Sequence, residues 1–201
     1  MGVGAVSRLS GPQLPGIVDF AGPVTPASTL VVAGVDPDAV VACVGSDQAT
    51  LDAVVALVAA GRRTKVFEDR PRLVLPEGRR VPGLAELLAA AAGPLRVAAA
   101  CSARIPTAPP VRRRLAGAPV RAQRLAGSRQ RRRLLPDPWM RRQLTPSRHD
   151  HRPPLRSDGY YRALASGQAQ LVSWPIARLT SAGIRTCDGL EHRIDHLVVA
   201  G

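Results

Sequence analysis

At 201 residues, 45% of them apolar, the chain can bury one good core, and its 19 prolines and 18 glycines demand many turns. The formal charge of +13 is carried by arginine, with Lys65 as the lone lysine, which promises adhesion to polyanions without specifying a partner. No apolar run approaches a membrane span, no basic start leads into a secretory-type apolar stretch, and Cys43, Cys101 and Cys187 are too scattered for a disulfide framework or a zinc site; a cytoplasmic domain with buried thiols, no metal and no membrane contact is expected.

Residues 1–37 are rich in Gly and Pro without a sustained period and read as a linker-like lead-in, so order is expected from about Val40, with one domain over 38–201. The run from Val40 to Thr50 reads as a buried strand entering a helix, the place where a dinucleotide-binding domain seats its cofactor. In such a turn, G-x-G-x-x-G/A, the first glycine makes the bend, the second admits the pyrophosphate and the third lets helix pack on strand. Gly45 stands at the first position and Asp47 at the second, so a carboxylate faces the place where a helix N-terminus attracts phosphate. Gly45, Ser46 and Thr50 are the candidate cofactor contacts of this turn.

Leu51, Val54, Val55, Leu57 and Val58 keep helical spacing from Ala49 to Ala60, Gly61 is the stop, and 64–67 reads as a second strand. Residues 84–92 suggest a short helix ended by Gly93-Pro94, and 95–100 either a third strand or part of the same apolar patch. From Val111 to Arg142 the chain is Arg-dense and helix-compatible, with clusters at Arg112–Arg114 and Arg131–Arg133; a helical insert over about 105–165 is expected. Strands at 169–173, 176–179, 184–187 and 196–199 follow, punctuated by Gly183 and the hairpin signal Asp188-Gly189. The fold class read from this is α/β: a Rossmann-like three-layer domain with a helical, Arg-rich insert and a C-terminal β-meander.

The four histidines, His149, His151, His192 and His196, lack Cys or carboxylates at ligand spacing and predict no metal site. Ser157-Asp158 reads as the cap of a short helix at Tyr160-Tyr161 rather than part of a triad, and both tyrosines as core or interface residues. Arginines at helical spacing can track phosphates, which makes a nucleic-acid-binding protein the rival reading. Against it stand 3% aromatic residues, no recognised nucleic-acid motif and an Ala/Arg/Gly/Pro bias along the whole chain, so only non-specific electrostatic contact is expected.

In order along the chain, five segments resemble the flavin-dependent monooxygenases of the Baeyer–Villiger and flavin-containing type. Leu9 to Ile17 followed by Phe20-Ala21-Gly22 resembles the approach to F-x-G-x-x-x-H-x-x-x-W, and Val44-Gly45-Ser46 resembles the second Rossmann turn, which in that family holds NADPH. Val66 to Pro71 resembles V-F-Q-R-(S/T)-P, Leu155 to Tyr161 the stretch after the Lys-Arg pair, and Asp195 to Gly201 the strand entering the A-T-G turn.

The resemblance implies an NADPH-binding domain fragment of such an oxidoreductase, whose FAD module lies outside these residues, so that FAD is expected only from a separate FAD-domain chain. It also implies losses. Pro26 and Leu30 replace the histidine and tryptophan, and Asp69 replaces the arginine that grips the 2′-phosphate, with Arg70 beside it as a substitute. Arg152 takes the place of the lysine, and Pro153 that of the arginine that stabilises the flavin peroxide. The implied cofactor contacts are thus Gly45, Ser46, Thr50, Arg70 and Arg152, with no catalytic residue, NADP binding weak or lost, and no activity of the domain alone.

Overall fold

The computed structural model describes residues 14–77 and 118–200. The elements expected at 84–92 and 95–100, the cluster Arg112–Arg114, Cys101 and the segment from Leu9 to Gln13 lie outside the described residues.

A five-stranded parallel sheet forms the middle layer, in the order β1 (Val24–Pro26), β10 (His196–Val199), β2 (Val40–Val44), β3 (Arg63–Phe67), β6 (Ala169–Val172). β2 is apolar at every position because both of its faces are covered, as parallel sheets require. Val41 and Cys43 point to one side, where α1 (Gln48–Ala59) and α4 (Tyr160–Ala165) bring Leu51, Val54, Leu57, Tyr160 and Tyr161. Ala42 and Val44 point to the other, where a three-stranded antiparallel sheet, β7 (Ile176–Thr180), β8 (Gly183–Thr186) and β9 (Glu191–Arg193), supplies Leu179 and Ile184. The layers are therefore helices, parallel sheet and hairpin sheet. Burial pushes the Cys43 thiol up to about 12, so it is an inert core group.

Local chemistry sets the helix ends. α1 starts where the Asp47 carboxylate accepts from the Thr50 N–H (2.8 Å) and stops in a Schellman motif, with Gly61 at φ 75° and the N–H groups of Gly61 and Arg62 returning to the carbonyls of Val58 and Leu57. Two further helices, α2 (Ala118–Leu134) and α3 (Pro138–Gln143), are separated by Leu135-Pro136-Asp137; Asp137 caps α3, whose first residue is proline. At α4 the Ser157 hydroxyl accepts from the amides of Gly159 and Tyr160, the cap read from the sequence, and both tyrosines are core. A short parallel pair, β4 (Val74–Leu75) with β5 (Leu155–Arg156), ties the exit of β3 to the segment before α4. Among the described residues no helix is long and apolar enough to cross a membrane.

Two expectations are corrected. Order begins before Val40: Phe20, Ala27 and Val35 are buried, 3₁₀ turns flank β1, and β1 edges the main sheet. Three-residue elements carry no period, which is why the sequence concealed them. The C-terminal strands are not one meander, because β6 and β10 join the parallel sheet while β7, β8 and the unanticipated β9 make the hairpin layer. Within the second arginine cluster, Arg131 is buried and donates to the Leu144 carbonyl (3.1 Å), so it ties α2 to the end of α3.

Candidate functional site

A cavity of about 550 Å³ opens at the carboxyl ends of the parallel strands, where α/β sheets place ligands. The residues following β2 (Gly45, Ser46, Asp47), those following β3 (Glu68 to Arg70, and Arg72), Arg152 and the Trp174-Pro175-Ile176 link between β6 and β7 form its walls.

Gly45 makes the turn out of β2 with φ 137°, a backbone setting that side chains rarely adopt; a Cβ there would meet the Ala200 Cβ at 2.6 Å. Thr50 is brought to the turn but not to the cavity wall: its buried Oγ1 lies behind Gly45 and has no hydrogen-bond partner among the described residues. Asp47 lines the cavity while its carboxylate sits on the α1 N-terminus. Thus the anion-attracting end of that helix already holds an anion belonging to the chain.

On the β3 side, the Arg70 side chain is 84% exposed and makes only a loose 3.8 Å pair with Asp69. Arg72, which sequence reasoning missed, is the arginine turned inward: Nη1 donates to the Ser46 carbonyl (2.9 Å), Nη2 donates to the Pro153 carbonyl, and Nε is buried without a partner among the described residues. Alternation in an extended segment would put Arg70 and Arg72 on the same side, so the local sequence held no signal that singles out Arg72. Arg152 closes the cavity from the other side. It holds both oxygens of Asp150 (2.9 and 3.0 Å), the Ser46 hydroxyl (3.2 Å) and the Arg70 carbonyl (3.0 Å).

Glu68 was also missed, because nothing in V-F-E-D distinguishes a buried carboxylate from an exposed one. It is 6% exposed and accepts from the Tyr160 hydroxyl across the core (2.7 Å). Burial pushes its carboxyl above the usual carboxylate range, against the pull of that hydroxyl, the Arg72 backbone N–H and the Arg152 charge. Burial and the Glu68 charge likewise push the Tyr160 phenol well up. Asp150 is held low by the Arg152 guanidinium. Among the described residues no cluster of three or more His, Cys, Asp or Glu side chains could hold a metal ion.

No family model matches the sequence, and no curated protein matches it. Solved structures share its fold. An open crystal structure of cyclohexanone monooxygenase superposes with a TM-score of 0.68 at 20% identity, covering 96% of this chain and 46% of the other. Cyclohexanone monooxygenase from Rhodococcus sp. Phi1 bound to NADP+ gives 0.68 at 20%, covering 96% and 44%. Oxidised steroid monooxygenase bound to NADP gives 0.67 at 20%, covering 96% and 44%. The chain therefore spans less than half the length of these enzymes, and the fold is the Rossmann-like α/β fold they contain.

Proposed function

We propose that this chain is a dinucleotide-binding domain of the flavin monooxygenase type whose NADPH cradle has kept its backbone and lost its phosphate-compatible side chains. Two of the solved neighbours carry NADP or NADP+, and their fold covers nearly the whole of this chain. The backbone requirements of the turn are met by Gly45 and by the start of α1. The side chains do not fit the phosphates. Asp47 holds the helix N-terminus with its own carboxylate, Asp69 stands where a 2′-phosphate would need a cation, and Arg70 points to solvent. On this reading NADPH binds weakly, with no strong preference over NADH, the residues here oxygenate nothing by themselves, FAD would be held only with a flavin-binding module supplied beside them, and no reaction step is assigned to them.

The Asp47 contact carries the reading, and calorimetry tests it. Unmodified protein is expected to bind NADPH too weakly for a micromolar isotherm. Asp47→Gly removes the misplaced charge at the cost of only a few tenths of a kcal/mol in capping, and is expected to tighten binding by about 1–2 kcal/mol. Micromolar binding to the unmodified chain would overturn the proposal, as would an Asp47→Gly variant that binds no better.

A further inference from the structure

We infer that Asp150 is a specificity-determining residue: it fills the anion position of Arg152 and so keeps phosphate-bearing ligands off the guanidinium that bridges the Ser46 hydroxyl and the Arg70 carbonyl at the cavity. The inference follows from counting donors. A guanidinium offers five N–H groups. In Arg152 the Nε and one Nη2 hydrogen go to the two oxygens of Asp150, a second Nη2 hydrogen goes to the Arg70 carbonyl, and one Nη1 hydrogen goes to the Ser46 hydroxyl. One donor remains. The fork-on-fork contact that a phosphate makes with arginine is already made, by a carboxylate of this chain.

The competitor is held in place rather than merely nearby. Asp150 Oδ1 also accepts the backbone N–H of Arg152 (3.1 Å), closing a two-residue turn, and the Asp150 side chain is only 12% exposed. Arg124 on α2 fixes the loop from behind by donating to the carbonyls of Ser147 (3.3 Å), Arg148 (2.9 Å) and Asp150 (3.2 Å). A carboxylate tethered two residues from its guanidinium outcompetes a dilute free anion through effective concentration alone. If Asp150 let go, the Arg152 fork would be freed beside a cavity that Arg72 also lines, and two guanidinium groups near Ser46 suit a phosphate or pyrophosphate group.

The test is calorimetry of the full chain with inorganic pyrophosphate and, separately, with NADPH. Asp150→Ala is expected to bind pyrophosphate at least about tenfold more tightly than the unmodified protein, and Asp150→Ala combined with Arg152→Ala is expected to lose that gain. Asp150→Asn keeps the turn acceptor and drops the charge; it should show a smaller gain, and it decides the matter if Asp150→Ala does not melt cooperatively. Unchanged pyrophosphate affinity in the folded variants would overturn the inference, as would a gain that survives Arg152→Ala. The inference rests on the nucleotide-cradle reading only for its second probe. A gain for pyrophosphate without one for NADPH leaves Asp150 in its role and counts against the nucleotide; an NADPH gain confined to Asp47→Gly does the reverse.

Discussion

On the β2 side of the cavity, backbone does the shaping: Gly45 bends at φ 137°, α1 begins three residues on, and Ala200 packs where a larger residue at position 45 would have to go. On the β3 side, side chains do it: Arg152 is held by Asp150 and the Ser46 hydroxyl, and Arg72 by the carbonyls of Ser46 and Pro153, which leaves few groups for a visitor. Backbone geometry of this kind is set by strand and helix packing, so it survives a substitution such as Asp47. Binding specificity is set by which donors stay free, and that can change while the fold stands still.

The comparison breaks most easily at Gly45. Gly45→Ala forces a Cβ onto a left-handed backbone and against Ala200, and is expected to cost about 2–3 kcal/mol in urea unfolding; a loss below about 0.5 kcal/mol would mean that the turn is not packed as described. On the opposite wall the instructive change is Glu68→Gln. Because burial raises the folded carboxyl above its unfolded value, the native state holds the proton more tightly, and stability falls as pH rises from the ordinary carboxylate value through the raised one. The glutamine keeps an acceptor for Tyr160 without the buried charge, so it should stabilise by about 1 kcal/mol at pH 7, with the advantage fading below about pH 4. Melts at the two pH values check this, and a variant less stable than the parent at neutral pH would show that the Glu68 charge is well compensated. Arg70→Ala sharpens the contrast from below: with its side chain in solvent, it should change stability by less than about 0.5 kcal/mol and leave NADPH binding untouched, as titration would show.

Where a feature was written in local chemistry, the sequence disclosed it. β2, α1 and β3 are visible because the apolar pattern and the Gly61 stop agree, and the Ser157 cap and the Asp188-Gly189 hairpin are read from adjacent residues, whereas the capping role of Asp47 was not read. Whether β6 and β10 run parallel to β2 or fold back as hairpins was not legible, since a four-residue strand carries the same alternation either way. The candidate site divides similarly. Gly45, Ser46, Arg70 and Arg152 line one cavity, Arg70 with its side chain largely in solvent, while Arg72 and Glu68, not anticipated, take their positions from partners 81 and 92 residues away in sequence.

The strand order has a consequence in time. β10 lies between β1 and β2, so the hydrogen bonds of residues 24–26 must wait for residues 196–199. At roughly 5–20 residues per second of synthesis, the first strand is made some ten to thirty seconds before its partner. Through that interval β2 and β3 can pair with each other and with α1 at hand, but one edge of β2 stays open, an apolar ladder waiting for the last strand to close it. Assembly of this sheet is gated by its final strand, and during that wait the growing chain is most exposed to pairing with another copy of itself.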